Sequence, residues 1–484
     1  MATGAGKGAG IDLDIAPDQG GQGLSGREDP EGGVVTPPTT GLKLYRPYRR
    51  PPSLHDSQDK AGRFIYAKTT VQRPAYDRDT LATALRFGVD PARQIFNDVM
   101  PRYPLGDRDM AILIDYLEAL SARPSPGASS GTMAFATIVT DDVGPKERQA
   151  LLTPLQDFIA RSNQQLALYQ DFIKFGYTPT VEMRDAFRAA SLDVWELKGA
   201  PEGWPAQLES YYRRKPVFAV LGGISNGDWR PIHEFCEARR LPCLFPITDL
   251  PVVSDTSWYT YYFNKGYYQE GEALARYLNR LDGLPEPGSM LQIVQDAPRG
   301  RALAAGFERA WGDCGRSRPA TVTLSAEEQA APGTLDRLLA QRAPKLLLLW
   351  VDGQVVAGLP ALAGKLPPAA RIFLSSSYLG QKSAQLPEPV RDRVYLTFPY
   401  RLTPYLGPRD GGFDAKVPIL TGAKEFGERR ITSRTVSMLQ QAVLRGVNLL
   451  YDNLQRDHLL DVMSMQMDLT LRDYERLSFG PGQR

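Results

Sequence analysis

Strand-like and helix-like segments alternate along most of this chain, and that alternation constrains its fold more than any other feature. Six apolar runs have the length and composition of buried strands, and segments with helical spacing of apolar residues separate them. The runs lie in the stretches TMAFATIVTDD, PVFAVLGGISN, PCLFPITD, SMLQIVQD, PKLLLLWVDG and ARIFLSSS. Such alternation is typical of parallel sheets covered by helices, and its span of about 270 residues exceeds one ordinary domain. We therefore expect an α/β fold with two lobes.

Polar residues follow these strands, and the ligands of open parallel sheets bind beyond the carboxyl ends of the strands. The candidate ligand-binding residues are Thr140, Asp141, Ser225, Asn226, Trp229, Thr248, Asp249, Asp296, Arg299, Asp352 and Ser376. Hydroxyls, carboxylates, backbone amides freed by glycine and aromatic walls together suit a small polar molecule. Each residue taken alone is equally well explained as a cap of a strand-to-helix turn, so the prediction depends on the whole set.

Motifs for catalysis or metal binding are missing from the sequence. It contains neither G-x-S-x-G nor H-E-x-x-H, it has no metal-ligand spacing, and its only histidines are His55, His233 and His458. His233 follows the glycine-rich turn LGGISNGDW, where a capping or packing role is the simpler interpretation. We therefore expect no catalytic residue and no metal site. An enzyme with an unrecognised α/β site is a minor alternative.

The three cysteines of the chain, Cys236, Cys243 and Cys314, form no C-x-x-C pair. Their odd number and spacing favour neither a zinc knuckle nor a disulfide scaffold. Cys236 and Cys243 flank the turn CEARRLPC between a predicted helix and a predicted strand. The first interpretation is that they are small buried apolar residues, and the alternative is a disulfide in an oxidising compartment.

The first 120 residues have a different character. Residues 1–60 are rich in Gly, Pro and polar residues, which makes long helices improbable there. Two amphipathic helices are predicted within 76–120, the first with Asp77 as its N-cap and Gly88 as its C′ residue. Their apolar faces comprise Leu81, Ala84, Leu85, Met110, Leu113, Ile114 and Leu117. The irregular loop between the helices carries Met100, whose simplest role is to fill a gap in the core of this module.

Charge and hydropathy exclude several classes of partner. A net charge of +2 and the lack of a basic stripe interleaved with aromatic residues make nucleic-acid binding improbable. No apolar run approaches the roughly 20 residues of a membrane span. The N-terminal segment lacks the apolar core of a secretory signal, so the residues alone predict a cytosolic protein.

Residues from about 130 to the end resemble a type 1 periplasmic solute-binding protein of the branched-chain amino-acid-binding kind. The resemblance is carried by PVFAVLGGISNGDWRPIHEFCEARRLPCLFPITDLPVVSD, YYFNKGYYQEGEALARYL and DAPRGRALAAGFERAWGDCG. It implies two lobes joined by hinge strands, a small polar ligand such as an amino acid or a carboxylate in the cleft, and closure on binding. It also implies a periplasmic, non-enzymatic protein that delivers its ligand to an ABC permease or acts as a sensor.

Residues of about 30–122 resemble the C-terminal part of a class I c-type cytochrome, through GREDPEGGVVTPP, RPAYDRDTLATALRFGVDP and VMPRYPLGDRDMAILIDYLEAL. This resemblance places Met100 at the distal axial position of a haem. The chain contains no C-x-x-C-H, and no cysteine precedes Cys236, so covalent haem cannot form in the chain as given. We therefore expect Met100 to pack within its own module without a metal, and no cofactor to be bound. Haem c, with an electron-transfer or redox-sensing function as the alternative, would belong to a longer form.

These patterns divide the chain into five segments. The predicted segments are a partial cytochrome-like module with a disordered N-terminus (1–122), a linker (123–131), an N-terminal lobe (132–262), a C-terminal lobe (263–400) and a helical return segment (401–484). We expect the last segment to lack one strand of the solute-binding fold.

Overall fold

The computed structural model describes residues 41–49, 71–96, 100–119, 124–129, 131–174, 188–254, 256–281, 287–331, 333–399, 426–444, 446–450 and 453–466, and short stretches between 469 and 479. The expectations for residues 1–40 and 400–425 lie outside these ranges. Within them, no helix is both long and apolar enough to cross a bilayer.

The N-terminal module contains the two predicted helices. In chain order its elements are α1 (Gly41–Leu44), β1 (Tyr48–Arg49), β2 (Val71–Arg73), α2 (Arg78–Phe87) and α3 (Asp107–Ala119). Asp77 accepts a hydrogen bond from the Thr80 amide at 2.8 Å, and Gly88 ends α2 in the left-handed conformation, so both predicted caps are confirmed. Of the predicted apolar faces all are buried except Leu113, which packs against the cluster partly exposed.

The first lobe is built on a five-stranded parallel sheet. Its strands are β3 (Thr132–Thr140), β4 (Ala189–Leu197), β5 (Ala219–Leu221), β6 (Cys243–Leu244) and β7 (Thr260–Tyr261), in the spatial order β4–β3–β5–β6–β7. The helices between them are α4 (Pro145–Lys174), α5 (Trp204–Arg214) and α6 (Arg230–Arg239). A short 3-10 helix covers Pro201–Gly203.

The second lobe is also built on a five-stranded parallel sheet. Its strands are β8 (Met290–Gln295), β9 (Ala320–Leu324), β10 (Leu346–Trp350), β11 (Arg371–Ser375) and β12 (Val394–Thr397), in the order β12–β11–β10–β8–β9. Its helices are α7 (Gly266–Asn279), α8 (Pro298–Asp313), α9 (Ala326–Ala330), α10 (Thr334–Arg342), α11 (Leu359–Gly364) and α12 (Ser376–Leu379). Single-turn and two-turn 3-10 helices cover Pro287–Ser289, Gly353–Gly358, Gly380–Gln385 and Glu388–Arg393.

Both sheets have the same connectivity. Counted within each lobe, the second strand lies at one edge, followed by the first, third, fourth and fifth. All pairings are parallel, and helices connect consecutive strands except β6 and β7, between which the described residues form no helix. The predicted α/β fold with two lobes, each built on a parallel sheet, is therefore confirmed.

Helices α7 and α8 pack unusually closely because each presents a glycine to the other. A Cβ atom on Gly271 would lie 2.1 Å from the carbonyl oxygen of Leu303, and one on Gly306 would lie 1.9 Å from that of Tyr268. Any side chain at either position would therefore force the helices apart. This close pair covers one face of the second sheet and holds the N-terminus of α8 at the carboxyl edge of β8.

The lobes are connected where the chain leaves β7 and β12. Asn264, between β7 and α7, donates a hydrogen bond from Nδ2 to the Pro399 carbonyl at 3.4 Å, so the two connections lie side by side. The helices α13 (Phe426–Met438) and α14 (Arg456–Ser464) then pack on the first lobe, with a π-helix at Leu439–Leu444 and a 3-10 helix at Val447–Leu449 between them. This return explains why the C-terminal residues belong to the core of the first lobe.

Candidate functional site

The carboxyl edge of the first sheet holds a hydrogen-bonded group of polar side chains. Thr140, the last residue of β3, donates from Oγ1 to Asp142. Asn226, in the glycine-rich turn after β5, donates from Nδ2 to the Asp142 carbonyl at 3.1 Å and to Glu147 Oε2 at 3.3 Å. Glu147 also accepts a bond from the Gly144 amide at the start of α4. Two carboxylates and an amide are thereby fixed at the rim of this sheet.

The carboxyl edge of the second sheet holds a second group. Gln295, the last residue of β8, accepts a hydrogen bond from the Tyr378 hydroxyl and donates from Nε2 to Asp352 Oδ2 at 3.4 Å. Tyr378 lies edge-on to Tyr267, with ring centroids 5.8 Å apart. Arg299 lies above these tyrosines in the first turn of α8, its guanidinium carbon 5.9 Å from the Tyr267 ring centroid.

The two groups meet across the space between the lobes. Arg299 Nη2 donates a hydrogen bond to the backbone carbonyl of Asn226 at 3.1 Å. The carboxyl edges of the two sheets therefore face each other, as the resemblance to a binding protein implied. Among the described residues Arg299 has no carboxylate within ion-pair distance, whereas its neighbour Arg301 is paired with Asp296.

Burial sets the protonation of the groups beneath this edge. Glu270 on α7 is 0% exposed and accepts a hydrogen bond from Thr397 Oγ1 at 2.8 Å, while its Oε1 has no hydrogen-bond partner among the described residues. Removal from water disfavours the charged form, and burial raises the pKa of Glu270 to about 7. Burial likewise raises the pKa of Tyr378 to about 12 and shifts that of Tyr267 upwards, so both phenols remain neutral donors.

The structure brings some of the sequence-predicted residues together. Thr140 and Asn226 belong to the first-lobe group, Arg299 and Asp352 belong to the second, and Arg299 joins the two. Asp249 is connected to them through its backbone, because its carbonyl accepts a bond from the Tyr267 amide at 3.1 Å.

Other predicted residues have local partners. Asp141 accepts a bond from the Gly199 amide at 2.7 Å, towards the β4 side of the sheet, and Asp296 pairs with Arg301. Ser225 and Thr248 close turns by accepting bonds from backbone amides two residues further on. Ser225 and Thr248 therefore act as turn caps, whereas Asp141 binds the backbone of a neighbouring loop and Asp296 forms an ion pair.

Two predicted residues are buried. Trp229 is 0% exposed and packs in the core of the first lobe, and its Nε1 has no hydrogen-bond partner among the described residues. The left-handed turn at Gly222 and Gly223 covers it, since a Cβ on Gly223 would lie 2.7 Å from the indole. Ser376 is also buried, with an Oγ that has no partner in the described part of the chain. In this conformation neither side chain reaches the surface of the cleft.

The sequence-predicted set omitted Gln295, Tyr267 and Glu270, which the structure places at or beneath the cleft. The signal for Gln295 was present, because it is the terminal polar residue of an otherwise mostly apolar strand, MLQIVQ. Tyr267 and Glu270 lie on α7 and come from outside the strand ends, so reasoning from those ends alone could not find them.

The structure places His233 in the core of the first lobe, away from the cleft. His233 is buried between Tyr262 and Ser257, with 3.0 Å from Nδ1 to the Tyr262 hydroxyl and 2.8 Å from Nε2 to Ser257 Oγ. Its predicted packing role is confirmed, and burial lowers its pKa. In the ranges that the structure describes, no group of three His, Cys, Asp or Glu side chains could hold a metal ion.

The module around Met100 gives no support to the cytochrome resemblance among its described residues. Met100 is partly buried, and its carbonyl accepts a hydrogen bond from Arg102 Nη1. The residue that fills the core between α2 and α3 is instead Met110. The prediction that Met100 binds no metal stays a prediction.

No protein-family model matches the chain, and no curated protein matches it in sequence. Solved structures are similar in fold. A type 1 periplasmic binding protein from Bordetella pertussis Tohama I is 13% identical with a TM-score of 0.47, and the match covers 74% of this chain and 93% of that one. A fatty acid ABC transporter substrate-binding protein from Thermomonospora curvata is 14% identical with a TM-score of 0.42, covering 74% and 86%. A solute-binding protein of an R. palustris ABC transporter, solved with benzoate, is 11% identical with a TM-score of 0.42, covering 70% and 86%.

All three TM-scores lie below 0.5. The fold assignment therefore rests on the strand order of the two sheets, and the site rests on its own contacts.

Proposed function

We propose that this chain is a solute-binding protein that holds a small polar ligand, an amino acid or a carboxylate, in the cleft between its lobes. Its ligand would serve an ABC permease or a sensing pathway in the periplasm. The observation that carries the proposal is the hydrogen bond between Arg299 of the second lobe and the Asn226 carbonyl of the first. It places the carboxyl edges of two parallel sheets, where ligands of such sheets bind, on either side of one space.

The charges around this contact suit a zwitterion or an anion. The guanidinium of Arg299 has free N–H donors and no carboxylate partner among the described residues, so a ligand carboxylate can bind it in bidentate fashion. On the opposite side, Asp142 and Glu147 are held next to Asn226 and can accept hydrogen bonds from an ammonium group. Tyr267 and Tyr378 support Arg299 from below and fix where its charge is presented.

The cross-lobe contact is weak enough to open. A hydrogen bond to a charged group contributes about 1.5–3 kcal/mol, and less where water reaches both partners. A ligand that adds contacts to both lobes would therefore shift the population towards the closed form by its differential affinity. This is the property that a protein delivering a ligand needs.

Isothermal titration calorimetry against a panel of L-amino acids and small carboxylates tests the proposal. We expect Arg299→Gln and Asn226→Ala to weaken the best ligand by at least tenfold while the protein stays folded. Arg301→Gln is the matched control, because Arg301 lies on the same turn of α8 but is paired with Asp296. No heat from any panel member with a folded sample would refute the proposal, and unchanged affinity in both variants would place the site elsewhere.

The proposal includes no chemical conversion. Recovery of the bound ligand unchanged after prolonged incubation checks this, whereas a product detected by mass spectrometry would favour an enzyme. Fractionation of the natural host tests the periplasmic location. No contact among the described residues favours the electron-transfer alternative.

A further inference from the structure

A cavity of about 360 Å³ opens at the amino edge of the first sheet, at the other end of the strands from the interlobe cleft. Four segments of the chain surround it: the linker at Ser125 and Pro126, α5 through Tyr212, the end of α6 and the start of α14. A volume of this size is in the range of small-molecule sites. None of the sequence-predicted ligand-binding residues belongs to its lining.

Arg456, the first residue of α14, lines this cavity and is only 6% exposed. Its N–H groups contact five neutral acceptors, which are the carbonyls of Pro126, Val217, Phe218 and Arg240 and the hydroxyl of Tyr212. Phe218 directly precedes β5, and its carbonyl lies 3.0 Å from Arg456 Nε. These contacts fix the guanidinium group at the amino edge of the sheet.

The charge of Arg456 is not neutralised by these contacts. All five acceptors are uncharged, and among the described residues no carboxylate lies within ion-pair distance of the guanidinium. Buried charges are normally paired, because removing an ion from water is costly. Nη1 carries two hydrogens and makes one contact, so one N–H group also lacks an acceptor in the described part of the chain. An uncompensated charge and a spare donor beside a cavity point to an anionic ligand.

The other charges around the cavity also favour an anion. Arg240 follows α6 in the left-handed conformation, and its exposed side chain has no ion pair or hydrogen bond among the described residues. Arg239 is paired with Glu209. The acidic residue of the lining, Asp457, accepts a hydrogen bond from the Tyr259 hydroxyl at 2.9 Å. Three arginines therefore line the cavity, against one carboxylate.

We propose that this cavity binds a small organic anion through its carboxylate or phosphate group. The planar guanidinium groups of Arg240 and Arg456 match either oxyanion. Pro126, Tyr212 and Ala238 provide apolar surface for the body of the ligand. A ligand in this position contacts the linker, α6 and α14 together, so it stabilises the packing of the C-terminal return on the first lobe. The inference is independent of the ligand proposed for the cleft.

Isothermal titration calorimetry of the full chain at low ionic strength tests the proposal, with phenyl phosphate and benzoate as probes. Benzamide, the neutral analogue of benzoate, is the control ligand. We expect at least one of the two anions to bind and benzamide to give no heat. The stronger of the two anions identifies the oxyanion that the site prefers. No heat from either anion, or equal affinity for benzoate and benzamide with no binding of phenyl phosphate, would overturn the proposal.

Substitutions around the cavity locate the bound probe. Arg240→Gln should weaken binding about fivefold because it removes one exposed charge, and Ala238→Trp should abolish binding by filling the cavity. Arg214→Gln is the matched control, since Arg214 is an exposed arginine at the end of α5 that lies over the Tyr211 ring, outside the cavity. A probe held in the cleft would respond to Arg299→Gln instead. The proposal is overturned if every probe that binds keeps its affinity in both Arg240→Gln and Ala238→Trp.

Discussion

Replacing Glu270 by Gln should alter how the stability of the second lobe depends on pH. The carboxyl has a pKa near 4.5 when unfolded and about 7 in the fold, so between these values the folded state holds more protons. The free energy of unfolding therefore falls as pH rises through this window and becomes level above it. For these two pKa values the loss between pH 5 and pH 8 is about 2–3 kcal/mol.

Urea unfolding followed by tryptophan fluorescence measures this effect, since Trp350 is buried in the same lobe. The unfolding free energy of Glu270→Gln minus that of wild type should be higher at pH 8 than at pH 5 by about 2–3 kcal/mol. Glu272→Gln, on the same helix, is the control. Glu272 pairs with Lys265 and Arg276, so Glu272→Gln should change the unfolding free energy by the same amount at pH 5 and at pH 8. A Glu270→Gln variant that keeps the wild-type pH profile would refute burial as the cause.

Two further predictions, one on helix packing and one on buried hydroxyl groups, can be measured by thermal or urea unfolding. Gly306→Ala should destabilise the protein by roughly 1–3 kcal/mol because the new Cβ would overlap the neighbouring helix. Gly312→Ala on the same helix should be neutral or stabilising, because its Cβ would meet no atom within 4 Å. Equal effects of the two substitutions would contradict the close α7–α8 contact. Thr137→Val should be neutral or stabilising by about 1 kcal/mol because its buried Oγ1 has no partner among the described residues. Thr435→Val, which removes a 2.8 Å bond to a backbone carbonyl, should instead cost about 1 kcal/mol, and a reversed order would count against the described hydrogen bonding.

The centre of each sheet was predictable from sequence, and its edges were not. The six apolar runs became β3, β5, β6, β8, β10 and β11, all in the interior of the two sheets. Such strands are buried on both faces, so their sequences are almost continuously apolar. The edge strands are shorter or more polar, as in ATVTL of β9, where burial alternates along the strand. Pattern reasoning therefore recovers the fold class but leaves the sheet boundaries open.

The candidate site was predictable in location but not in detail. Strand ends indicated both Asn226 and Arg299, but not their contact, which joins residues 73 positions apart across two lobes. Whether a strand-end residue faces the cleft depends on the local turn, and the glycines before Trp229 fold over the indole and bury it. Asp141 likewise turns towards a neighbouring loop because the Gly199 amide lies there. Composition and spacing contain no information on these directions.

A crystal structure with the tightest-binding member of the amino-acid and carboxylate panel tests the central claim most directly. The account predicts ligand density between the lobes, with its carboxylate on the Arg299 guanidinium and its opposite side against the Asn226 turn. Ligand density on an outer face of either lobe, with the space between Arg299 and Asn226 empty, would contradict it.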